Sequence, residues 1–112
     1  MQPNSTHWSA EDLKAYLLIY GAHANFRESS EEVQLIQSKI SQDCYTKMHA
    51  EWKEDNDYQS VEKIRMAANQ LGYGASEKEQ LLNELQALFQ SDGHFDILER
   101  NMFKGIRRIL IA

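Results

Sequence analysis

The sequence predicts an all-α protein: a compact bundle of about six helices that contains two helical hairpins related by a pseudo-twofold axis. Three observations predict it. Among 112 residues the one proline is Pro3, which leaves the rest of the chain without the residue that breaks helices. Valine occurs only at positions 33 and 61, and no stretch alternates apolar with polar residues as a strand does. The two ends also match in physical role at an offset of 67 residues, the difference between Ser9 and Ser76. Ser9 and Asp12 align with Ser76 and Glu79. Ala15, Leu18 and Ala22 align with Leu82, Leu85 and Phe89. Asn25, Ser29 and Glu32 align with Asp92, Asp96 and Glu99, and Leu35 and Ile36 with Met102 and Phe103. Each copy reads as helix start, apolar stripe, polar turn, second helix start and second apolar stripe.

Helix starts are legible as an oxygen-bearing cap with a polar residue three positions on. Ser9-x-x-Asp12, Ser29-x-x-Glu32, Asn56-x-x-Gln59, Ser76-x-x-Glu79 and Asp96-x-x-Glu99 all have this form. The first helix is predicted from about Ala10 to Ala24. Leu13, Tyr16, Leu17 and Tyr20 form its stripe, widened by Ala15, Leu18, Ile19 and Ala22. A stripe this wide places the helix centrally. The second starts near Ser30, buries Val33, Ile36 and Ile40, and either continues or bends at Ser41. Tyr45, Met48 and Trp52 carry helical spacing on to about Glu54, and Glu54-Asp55-Asn56-Asp57 breaks it. A helix from about Tyr58 to Leu71 buries Val61, Ile64, Ala68 and Leu71, and Gly72-Tyr73-Gly74 ends it. The fifth runs from about Glu77 to Gln90 on Leu81, Leu82, Leu85, Leu88 and Phe89. The last runs from about Ile97 to Ile109 on Leu98, Met102, Phe103, Ile106 and Leu110.

The length suits one domain, 1–112, with residues 1–8 read as a flexible N-terminal segment. A formal charge of −5 argues against nucleic acid, which needs a basic face. Lys104, Arg107 and Arg108 suit the negative end of the last helix instead. No run approaches about 18 apolar residues, so no transmembrane segment is predicted. Residues 1–6 lack the apolar core of a signal peptide, Cys44 is alone, and the cytoplasm is the expected compartment.

Asp92-Gly93-His94-Phe95-Asp96-Ile97-Leu98-Glu99 has the spacing of the second half of an EF-hand loop. Leu88 and Gln90 stand where the first two ligands would be, so a complete EF-hand is excluded. Two readings fit the remainder. Asp92-Gly93 makes the turn while Asp96 and Glu99 cap the last helix. Alternatively, Asp92, Asp96 and Glu99 offer oxygens to calcium or magnesium. Asn25 and Glu32 hold the corresponding places in the first turn, with Phe26 in place of the glycine and Arg27 adding a cation. His7, His23, His49 and His94 make no ligand pattern. His23 reads as a helix-end histidine with a backbone partner, and Cys44 as a small core residue. No phosphate loop or nucleophile elbow occurs.

The segment Ala15 to Asn25, followed by acids and a helix, resembles the first hairpin of the TerB-like proteins, named for tellurite resistance protein TerB. Ser91 to Glu99 resembles that pattern more closely. Members typically carry Ala-x-Ala-Asp-Gly before an acidic helix start; here Asn25-Phe26 replaces Asp-Gly. The resemblance spans about Asp12 to Leu110. It implies duplicated helical hairpins, tellurite resistance or another stress response, and divalent metal at acidic turns. The site residues it implies are Asp92, Asp96 and Glu99, and less strongly Asn25 and Glu32. The expected function is a non-catalytic cytosolic module with a protein partner, as a monomer or weak homo-oligomer. The alternative is a small hydrolase that uses a metal at the acidic turns.

Overall fold

The computed structural model describes residues 8–23, 30–90 and 97–111, without the side chains of 30–32, 97–99 and 111. Six helices follow one another: α1 Ala10–Ala22, α2 Ser30–Lys39, α3 Gln42–Glu54, α4 Asp57–Gln70, α5 Ala75–Phe89 and α6 Ile97–Ile111. No strand occurs among the described residues. The radius of gyration, 13.0 Å, is that of a single compact body of this length.

The helix starts explain the boundaries. Ser9 and Asp12 exchange reciprocal bonds of 3.1 Å, side chain to backbone in each direction, and close the N-terminus of α1. Asn56 and Gln59 do the same for α4. Between α2 and α3 the chain breaks, because the Ser41 hydroxyl accepts from the Cys44 N–H and starts a new helix. One predicted cap moves. Ser76 is the second residue of α5 and not its cap; Glu77 reaches back to accept from the Gly74 N–H at 2.9 Å. The first arms therefore start 65 residues apart (Ala10 and Ala75), while the second arms keep the offset of 67 (Ser30 and Ile97). The Ser29–Glu32 and Asp96–Glu99 caps lie outside the described residues.

α4 ends as its glycines predict. Gly72 has φ 73°, a left-handed conformation, and the N–H groups of Gly72 and Tyr73 turn back to the carbonyls of Asn69 and Ala68.

α1 is the centre of the bundle. From Asp12 to Ala22 every residue except Lys14 is buried, and α1 packs against α2, α3, α4 and α5. α5 packs against α1, α2 and α6, and α6 also reaches α4. The matched positions Ala15, Leu18 and Ala22 on α1 and Leu82, Leu85 and Phe89 on α5 are all buried. Gly21 allows the two helices to approach: a Cβ there would lie 2.5 Å from Leu85 Cδ1 and 3.3 Å from the Phe89 ring. Trp8, just before the α1 cap, is buried and covers Tyr16 with ring centroids 4.6 Å apart. Near the C-terminal end of α6, Ile106 and Leu110 are buried.

Candidate functional site

Tyr16 and Tyr20 lie one turn apart on the same face of α1, so both rings point at the corner between α3 and α4. That corner carries Asp55, the C-cap of α3, and Asp57, the first residue of α4. The Tyr16 hydroxyl donates to Asp55 Oδ2 at 2.6 Å and accepts from the Ser60 hydroxyl at 2.9 Å. The Tyr20 hydroxyl donates to Asp57 Oδ1. Lys63 closes the group, with Nζ 2.9 Å from Asp55 Oδ2 and 2.8 Å from Glu51 Oε2. Burial, reinforced by the carboxylate beside each ring, pushes both phenols well above their ordinary value. Burial works against the charge on Lys63, but Glu51 and Asp55 outweigh it and hold its ammonium protonated. Both phenols are therefore fixed donors that tie α1 to the α3–α4 corner.

Beside this network a surface cleft of about 360 Å³ opens. Tyr20, His23, Trp52 and Met102 form its walls, and Asp55 and Asp57 line it at the α3–α4 corner. His23 caps the C-terminus of α1. Its Nδ1–H donates to the Ile19 carbonyl at 2.9 Å, and its ring stacks on Trp52 at 4.1 Å between centroids. It thus plays the helix-end role the sequence predicts. His49 lies 5.9 Å from it, ring to ring.

A second polar group sits at the other end of α1. Asp12 is 7% exposed and accepts from the Ser9 N–H, from Lys47 Nζ at 3.1 Å and from the Cys44 thiol at 3.3 Å. Burial alone would raise its carboxyl, but these three donors hold it below the usual range. Cys44 responds in the opposite sense. Burial and the facing Asp12 carboxylate push its thiol up to about 12. A thiol so held is no nucleophile near neutrality, which agrees with its reading as a core residue. Nearby, Glu11 Oε2 accepts from the Ser41 N–H at 2.8 Å and fastens the start of α3 to α1. A wider groove of about 730 Å³ runs between α1, α2 and α5. Lys39 crosses it to Glu84 at 2.7 Å, and Lys14 stands 4.0 Å from the same carboxylate.

Of the residues the sequence proposes for metal, Asn25, Asp92 and Asp96 lie outside the described residues, as do the side chains of Glu32 and Glu99. His7 and His94 lie outside them too. Among the described residues no three His, Cys, Asp or Glu side chains come together as a metal site. The tyrosine–aspartate network was missed because Asp55 and Asp57 read as a helix break. The available signal was the pair of tyrosines at i and i+4 inside an otherwise apolar stripe, since a buried phenol needs a partner.

No family model, curated protein or solved structure matches the chain.

Proposed function

We propose that this chain is a non-catalytic, TerB-like interaction module that acts in the cytoplasm, in tellurite resistance or another stress response, through contact with a protein partner. The observation that supports this reading is the state of its reactive groups. Tyr16 and Tyr20 donate to carboxylates, and the Cys44 thiol donates to Asp12, so each keeps its proton far above neutral pH. Among the described residues, these three groups are thus committed to holding helices together. No described helix is long and apolar enough to cross a membrane, which agrees with action in the aqueous phase.

The module also binds calcium or magnesium weakly at the turn before α6, through Asp92, Asp96 and Glu99, with Asn25 and Glu32 as a weaker second set. The ligand spacing supports this, while the start of α6 at Ile97, directly after Asp96, fits the cap reading equally well. Three carboxylates fall short of a calcium cage, so water completes the shell and affinity is low. Millimolar calcium should raise the melting temperature of the parent and not of Asp92→Asn. Equal values with calcium and with chelator leave Asp92, Asp96 and Glu99 as turn and cap residues.

Two measurements test the main reading. A photoreactive phenylalanine at Tyr58, which is 73% exposed on α4, should give a discrete protein adduct in the native host. Generic ester, phosphoester and peptide substrates with manganese, magnesium or zinc should not turn over. Turnover lost in Glu99→Gln would replace the module by a metal-dependent hydrolase.

A further inference from the structure

The cleft between α1, α3 and α4 combines three features that favour one class of ligand. The first is its field. His23 caps the C-terminus of α1 and Asp55 the C-terminus of α3, and both residues line the cleft. Among the described residues, two negative helix ends therefore border the cleft, against the positive end of α4. Among the described residues beside them, Glu51 and Asp55 share one ammonium, Lys63, and Asp57 makes no ion pair. The excess is negative and attracts a cation.

The second feature is the lining. Tyr20, His23 and Trp52 present rings and Met102 a thioether beside the polar Asp55, Asn56, Asp57 and Ser60, so a large part of the wall is polarisable. The third is how far the carboxylates are already engaged. Asp55 receives Tyr16 at Oδ2 and Lys63 at both oxygens, and Asp57 Oδ1 receives Tyr20. A bare ammonium carries three N–H donors and needs an acceptor or a water for each. A methylated ammonium has none to satisfy on its methyl faces, and it gains from ring faces and a nearby carboxylate. The volume of about 360 Å³ lies within the range of small-ligand pockets, about 300–1,000 Å³.

We infer that this cleft binds a methylated ammonium head, with Tyr20 and Trp52 as ring walls and Asp57 as counter-charge. The inference is independent of whether the module has a protein partner or a metal. Such a head occurs on free choline-type solutes and on trimethylated lysine, and the cleft reads the chemistry the two share.

The test titrates the full chain with choline and with 3,3-dimethylbutan-1-ol, its neutral isostere, and follows the Trp52 indole resonance by NMR. Choline should bind at least about tenfold more tightly than the alcohol and shift the signals of Tyr20, His23 and Trp52. Asp57→Asn keeps an oxygen for the Tyr20 hydroxyl but removes the charge, and should weaken choline binding about five- to tenfold without loss of fold. Trp52→Leu should weaken it by about two- to fivefold or more, the size of a cation–ring contact at a partly open site. N-acetyl-trimethyllysine amide, run in parallel, separates the sources: tighter binding than choline assigns the head to a modified side chain, weaker binding to a free solute. Equal binding of choline and the alcohol, undiminished choline binding to folded Asp57→Asn, or shifts confined to residues away from the cleft would each overturn the inference.

Discussion

Gly21→Ala sets two opposing effects against each other at the contact between α1 and α5. Alanine is the better helix former by about 1 kcal/mol in a helix interior, and on that ground alone the variant gains stability. The structure opposes it. The new Cβ would lie 2.5 Å from Leu85 Cδ1, where ordinary contact begins near 3.4 Å, so the leucine methyl must retreat by about 1 Å. It has nowhere easy to go, because Leu85 and Phe89 are both 0% exposed. Overpacking of this kind costs about 1–3 kcal/mol, so after the helix-propensity gain the net expectation is a loss of about 1 kcal/mol, within about 0–2 kcal/mol. Urea unfolding followed by far-UV circular dichroism should show a lower midpoint with an unchanged slope. The cycle with Leu85→Val isolates the cause. The valine shortens the side chain that carries the clash, so it should cost less in the Gly21→Ala background than in the parent, by at least about 0.5 kcal/mol. A Gly21→Ala variant more stable than the parent by the full propensity term of about 1 kcal/mol, or additive effects in the cycle, would refute the close-approach reasoning.

Tyr16→Phe should cost about 2–3 kcal/mol, the scale of a hydrogen bond to a charged acceptor, because Asp55 loses a donor and the buried Ser60 hydroxyl loses its acceptor. Urea titration checks it; Ser60→Ala should then cost less in the Tyr16→Phe background than in the parent, and equal costs would mean the two hydroxyls do not interact. Alkaline pH should destabilise the fold starting near pH 9. Cys44 has its folded value raised from 9.0 to about 12, so the protonated thiol is the form that stabilises. Its contribution is complete below pH 9 and lost as pH rises, by about 1.4 kcal/mol at pH 10. Stability measured at pH 8 and pH 10 should show this loss in the parent and less of it in Cys44→Ala. Tyr16 and Tyr20, raised above 10.0, add to it only at higher pH. Acid acts through Asp12, whose folded value lies below 3.8: its stabilisation is present above that value and lost as pH falls below it.

The helices themselves are written locally in the chain. Capping boxes at Ser9 and Asn56, the Gly72 turn and the leucine stripe of α5 are local devices, and each acts within a few residues of where it stands. The breadth of the apolar stripe on α1 also announced its central place, because a helix buried on nearly every side must be apolar on nearly every side. The start of α5 was misplaced by two residues because Glu77 serves a glycine cap, which carries no oxygen to advertise it. Partnership across the bundle was not legible. Tyr16 and Asp55 stand 39 positions apart, Cys44 and Asp12 stand 32 apart, and nothing local pairs them. Only the docking of α1 against α3 and α4 brings a phenol to a carboxylate and a thiol to an aspartate. The same docking sets His23, Trp52 and Asp57 around one cleft. Helix ends and aromatic residues become a site only when packing decides which of them face each other.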